Sequence, residues 1–318
     1  MLQSSFQLHL QAIRLIMKTL KLGVSLMLAV SFLTSCTDLF QGSILEVELP
    51  EHQSKLAPYA FFKDSDTVLV VKVGKSVGVL DTINPDYVLN ATVELFKNGN
   101  LEYTFIYNNT TNAYEYDLGA PFSPVEGDVY ELRVSKEGFE TATASQTVPS
   151  RVPIDTVVYN QGGGVNQFGE QINIINLTFT DPAGASNYYE FGGYVNIKYT
   201  DPFDTTFVYE YQNTLYFESN DPNYDNGIMF DANFDGQQYT IRLEDNDYFG
   251  WGSSDNTEIT GILRLTSSTY DYATFTKSLN DYWNADGNPF AEPVILYSNM
   301  STNLGLFGIL VASEYELK

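Results

Sequence analysis

The chain has 318 residues, with 40 acids against 16 lysines and arginines and a formal net charge of −24; its aromatic side is heavy, with 23 Tyr and 21 Phe against 5 Met and 1 Cys. A field of that sign repels phosphate backbones and anionic bilayer surfaces, which excludes nucleic-acid binding and adsorption through a basic patch. A single thiol excludes internal disulfides, and the aromatic and β-branched content predicts strands.

Residues 1–35 read as a lipoprotein signal peptide. Behind Lys18 and Lys21, the apolar run from Leu22 to Leu33 is shorter than the roughly 20 residues a bilayer span requires. It has the length of the h-region of an export signal. Leu33-Thr34-Ser35-Cys36 closes it as a lipobox, in which the chain is cut before Cys36 and that cysteine is acylated. The alternative is an ordinary secretory signal followed by a free thiol. Met17 followed by Lys18 makes a better n-region than Met1, and both starts give the same mature product. Cleavage removes Arg14, Lys18 and Lys21 and no acid, so the mature charge moves from −24 to −27. Anchoring then falls to the acyl chains on Cys36, several of which hold where one does not.

Residues 36–55 form an acylated tether that runs into a strand at Ile44–Leu49. Residues 56–152 follow as an immunoglobulin-like β-sandwich. Its strands are expected at Thr67–Val73, Val88–Lys97, Leu101–Tyr107, Tyr114–Leu118, Val129–Ser135 and Thr141–Val148, with Pro58 interrupting the apolar stretch Leu56–Phe62. Short alternating segments at regular spacing are the pattern of a sandwich. Asn98-Gly99 predicts a tight hairpin, because both residues tolerate the positive φ that such a turn demands. Glu137-Gly138 predicts a second hairpin. Pro149 and Pro153 end the sheet, since proline cannot donate to a ladder.

Residues 153–318 read as a second β-rich domain. Strands are expected at Thr156–Tyr159, Ile172–Thr180, Tyr188–Thr200, Phe207–Phe217, Tyr239–Glu244 and Glu258–Thr266, separated by Gly162-Gly163-Gly164 and by Asp-Pro pairs. Tyr272, Phe275, Leu279 and Tyr282 fall at helical spacing, so a helix capped by Ser268 is expected over 268–283, its aromatic stripe covering a sheet.

Asp231, Asn233 and Asp235 with Gly236 match the first half of a calcium loop, in which alternate oxygens face one ion. Position twelve is Arg242 and not Glu. A hairpin turn is therefore the preferred reading, and no other metal or cofactor is predicted. Tyr248, Phe249 and Trp251 form an aromatic loop cluster that could stack on a sugar or a partner, or simply pack locally. No catalytic residue is assigned: the mature chain has one histidine, His52 in the tether, and no thiol besides Cys36, so Ser-His-Asp, Cys-His and zinc chemistry lack their parts. A carboxylate-based hydrolase stays open as a minor reading, because 40 acids always offer some pair.

The closing run from Asn288-Pro289-Phe290 to Asn303-Leu304-Gly305-Leu306-Phe307-Gly308 resembles the signature of DUF4249, a Bacteroidota lipoprotein family of unknown function. Phe234-Asp235-Gly236-Gln237-Gln238-Tyr239, Thr178-Phe179-Thr180-Asp181-Pro182, Asn187-Tyr188-Tyr189 and Val152-Pro153-Ile154-Asp155 resemble it in the same order. The resemblance implies an outer-membrane lipoprotein, often encoded beside a TonB-dependent receptor, without assigned catalytic residues. Asp38 soon after Cys36 favours the cell-surface face over the periplasmic one. The expected function is therefore a non-catalytic lipoprotein accessory to a TonB-dependent transporter, binding the transporter or its cargo. The alternative is a stand-alone surface binder of glycan or peptide.

Overall fold

The computed structural model describes residues 52–78, 87–166, 168–204, 206–225, 227–245 and 256–317. Cys36, the strand expected at Ile44–Leu49, and Tyr248, Phe249 and Trp251 lie outside the described residues. The described chain is mostly β, as expected, with one helix. No helix in it is long and apolar enough to cross a membrane.

The first strands are β1 (Leu56–Lys63), β2 (Val68–Lys75), β3 (Thr92–Lys97), β4 (Asn100–Thr104), β5 (Ile106–Asn108), β6 (Ala113–Asp117), β7 (Val129–Ser135) and β8 (Ala142–Thr147). The β3–β4 hairpin turns at Asn98 and Gly99, whose φ values of 49° and 81° are the double-positive geometry anticipated from their identity. Three expectations need correction. The strand predicted to begin at Val88 begins at Thr92, because Asn90 sits at φ 57° and breaks the extended run. Pro58 does not interrupt β1: pairing with the last strand starts only at Tyr59, so the missing N–H costs no bond there. The segment expected as one strand over 101–107 is two, for at the buried Phe105 the chain passes from one sheet to the other.

The later elements are β9 (Ile154–Val165), β10 (Gln171–Thr180), β11 (Tyr188–Thr200), β12 (Val208–Leu215), β13 (Tyr224–Asp225), β14 (Ile228–Phe230), β15 (Gln238–Asp245), β16 (Thr257–Ser268), α1 (Tyr270–Ala285) and β17 (Leu306–Leu317). The triple glycine does not end β9 but lies inside it. The β9–β10 register shifts between Ile172 and Ile174, and a Cβ on Gly164 would sit 2.8 Å from Ile174, so the glycines accommodate a bulge. The helix starts later than predicted, with Thr269 and not Ser268 at its N-cap and no side-chain cap bond. Ser268 ends β16 and donates its hydroxyl to the Tyr188 carbonyl at 3.4 Å.

Three sheets result. A ten-stranded sheet runs β13-β14-β11-β16-β17-β1-β2-β6-β5, with β12 added beside β11; β4-β3-β7-β8 and β15-β10-β9 form two smaller sheets. The four-stranded sheet packs on the β1, β2 and β17 region to enclose one core, in which Phe62 contacts Phe105, Phe122 and Phe307 with ring centroids 5.5–6.1 Å apart. The three-stranded sheet packs on β11 and β16 around Phe179, Tyr189, Phe234 and Leu263. Strand β17 serves both: Phe307, Ile309 and Val311 enter the first core, and Tyr315 and Leu317 pack against the second. Its unbroken LFGILV run marks a strand buried on both faces.

On the opposite face of the long sheet lies α1. Tyr272 and Phe275, two of its expected stripe, meet Phe61 and Tyr59 of β1 at 5.0 and 5.4 Å, while Tyr282 is exposed. Glu190 of β11 is trapped beneath the helix. Burial pushes its carboxyl up to about 7, against the pull of a Tyr272 hydrogen bond and of Lys63.

The segments that carry the family resemblance act as fasteners. Asp271 at the start of α1 accepts bonds from Tyr297, from Asn299 at 3.1 Å and from Gln146 at 2.5 Å, so the helix, the closing run and β8 share one carboxylate. Asn299 also exchanges both amide bonds with the Phe307 backbone at 2.8 and 3.0 Å. Gly305, at φ 98°, passes so close to β1 that a Cβ would lie 1.9 Å from the Pro58 carbonyl oxygen.

Candidate functional site

The calcium-like segment follows β14 and forms the turn before β15. The structure brings Asp231 and Asp235 together with Asp181, their carboxylate oxygens within 4.8 Å of one another. Asn233 is turned elsewhere and donates to Asn223 Oδ1 at 2.6 Å. Each carboxylate already accepts bonds. Asp181 takes the Tyr189 hydroxyl, Asn187 Nδ2 at 3.2 Å and the Gly236 N–H at 2.9 Å. Asp231 takes the Asn187 N–H at 2.7 Å, and Asp235 the Gly184 N–H at 2.7 Å. Burial, and then the Asp181 and Asp235 charges, raise the Asp231 pKa against the lowering by Asn187. The cluster thus ties the loop after β10 to the loop before β15. Asp181 stands 50 positions before Asp231, a separation across which local spacing does not reveal the contact.

A different arrangement lies at β12. Seven of its eight residues are exposed, and among the described residues it pairs with β11 alone. Register puts Tyr209 opposite Tyr199 and Tyr211 opposite Ile197, on the face that continues from Val195 and Leu215 in the second core. The other face carries a polar ladder, with Lys198 facing Glu210 at 3.6 Å and Gln212 donating to Asn196 at 3.0 Å. Tyr209 is 58% exposed, Tyr211 47%, and Phe203 and Phe207 at the turn 98% and 55%. The apolar face therefore runs past the edge of the core, with none of the described residues covering it. Contiguous exposed aromatics on an open strand edge are the surface by which a sheet pairs with another chain. Aromatic alternation from Phe207 to Phe217 showed the strand; it could not show how much of that strand stays exposed.

A cleft of about 550 Å³ opens between the C-terminal half of α1 and the segment after β12, lined among others by Trp283, Tyr224 and Glu218. Glu190, the group with the strongly raised carboxyl pKa, does not line it.

The packed sheets and their two cores define a mostly β protein of sandwich-like layout. The chain belongs to the family described as Domain of unknown function (DUF4249), whose model matches residues 43–316. No curated protein matches it. Among solved structures it is similar to a chain titled "Biofilm associated protein - B domain", at 10% identity, covering 83% of this chain and 85% of that one with a TM-score of 0.17.

Proposed function

We propose that the protein is a non-catalytic, outer-membrane lipoprotein of Bacteroidota, anchored through acylated Cys36, that docks as an accessory on a TonB-dependent transporter. The observation that carries this reading is the uncovered aromatic hairpin of β11 and β12. Its open edge supplies backbone hydrogen bonds, and Tyr199, Tyr209, Tyr211 and Phe207 supply the side chains that anchor interfaces. Tethering to the same membrane raises the effective concentration of the partner, so a contact of this modest size suffices.

The test is affinity capture of the tagged protein from membranes solubilised in mild detergent. A β-barrel transporter is expected to co-purify with the wild type and to be lost when Tyr209 and Tyr211 are both changed to Ser. Capture without a transporter, or capture indifferent to that double change, overturns the docking reading. Failure of Cys36→Ala to release the protein from membranes overturns the anchor.

A further inference from the structure

The cleft beside α1 has the composition of a ligand site. Asn280, Trp283 and Asn284 stand at i, i+3 and i+4, which places all three on the one helix face that forms its wall. Trp283 is 61% exposed and lines the cleft, whereas Phe275 of the same helix is buried. Across from it, Glu218 and Glu244 exchange both backbone bonds at 3.0 and 2.8 Å in an isolated antiparallel bridge. Residues paired in this way project their side chains to the same side. Two carboxylates are thus set next to each other at the mouth of the cleft, where like charges cost stability.

The charge in the cleft is largely balanced. Arg242 pairs with Glu244, and Lys277 with Asp225. Asn220 adds an amide that donates to Glu244 at 3.4 Å. The lining also presents an aromatic plate, three carboxamides and the Glu218 carboxylate. Anions are turned away by the acids. A simple cation would use the carboxylates, of which two are already paired, and would leave the carboxamides and the indole without a purpose. A polyhydroxylated ring uses all of them: its C–H face lies on the indole, and its hydroxyls both donate to carboxylates and exchange bonds with amides. The volume is that of a small-molecule site, which spans roughly 300–1,000 Å³.

We propose that this cleft binds a saccharide, with Trp283 as the stacking platform and Asn284, Asn220 and Glu218 as the hydrogen-bonding groups. The site is separate from the β12 edge, and the two stand or fall independently.

The chain has two tryptophans, so in a Trp251→Phe background Trp283 alone reports. The intact purified protein is titrated with maltohexaose, cellohexaose, xylohexaose and chitohexaose, with spermidine as the cationic arm. At least one oligosaccharide is expected to give a saturable change in Trp283 emission. Asn284→Ala and Glu218→Gln should each weaken it about tenfold with an unchanged thermal midpoint, and the Tyr209 and Tyr211 double change should leave it intact. No saturable change with any of the four sugars, equal binding by the two cleft variants, or saturation by spermidine in place of sugar overturns the proposal.

Discussion

Two places in this molecule gather carboxylates, and they differ in what the carboxylates hold. Around Asp181, Asp231 and Asp235 the acids accept backbone and amide N–H groups and a buried tyrosine, and so join two loops. Around Glu218 and Glu244 the acids sit side by side at an opening, with the nearest ring exposed. The first arrangement spends its acceptors on the fold. In the second, Glu244 is paired with Arg242 and Asn220 while Glu218 is turned to solvent. An acidic cluster is therefore classified by where its lone pairs go, not by how many acids it holds.

The sharpest way to break that contrast is at Asp181. Changing it to Ala strands the Tyr189 hydroxyl, which is fully buried, and the Gly236 N–H, and is expected to cost about 4 kcal/mol in urea unfolding at neutral pH. A loss below about 1 kcal/mol would show that the knot is not a fastener. Next in size is Glu190, whose carboxyl stands at about 7 against an ordinary 4.5. The folded state binds that proton more tightly than the unfolded one, so the group's contribution is fully present below the ordinary value and is lost as pH rises through about 7. Glu190→Gln should therefore be about 2 kcal/mol more stable than wild type at pH 8 and show a flatter stability profile between pH 5 and pH 7. Equal slopes for the two proteins would remove Glu190 from the account. The smallest effect is expected at the cleft, where Glu218→Gln should change stability by less than about 0.5 kcal/mol. Adding millimolar calcium to the wild type should move the melting midpoint by less than about 1 °C. A shift of several degrees, abolished by Asp235→Asn, would turn the knot into an ion site.

Much of the fold was legible locally. Alternation gave most strands, Asn98-Gly99 gave the hairpin, and the spacing of Tyr272 and Phe275 gave the helix and the face it buries. What stayed hidden was non-local. Glycines at 162–164 look like punctuation until the side chain of Ile174 is found packed against them. The apolar stripe of α1 marks the core side, whereas Asn280, Trp283 and Asn284, at i, i+3 and i+4 on the adjoining face, do not by spacing alone mark a cleft wall. The motif residues were legible as a set but not as a mechanism. Asp181, Tyr189, Gly236, Asn299 and Gly305 all fasten segments that lie apart in sequence.

Strand β17 lies parallel to β1 and closes both cores. The chain's earliest described strand therefore has an empty flank until residues 306–317 have been made. Neither half can finish alone, since each is owed part of the same dozen residues. During synthesis, and during any threading across a membrane, the aromatic faces of both halves stay open to solvent and to chaperones. Pairing Tyr59 with Leu306 joins distant parts of the chain, the non-local kind of contact whose closure entropy slows folding.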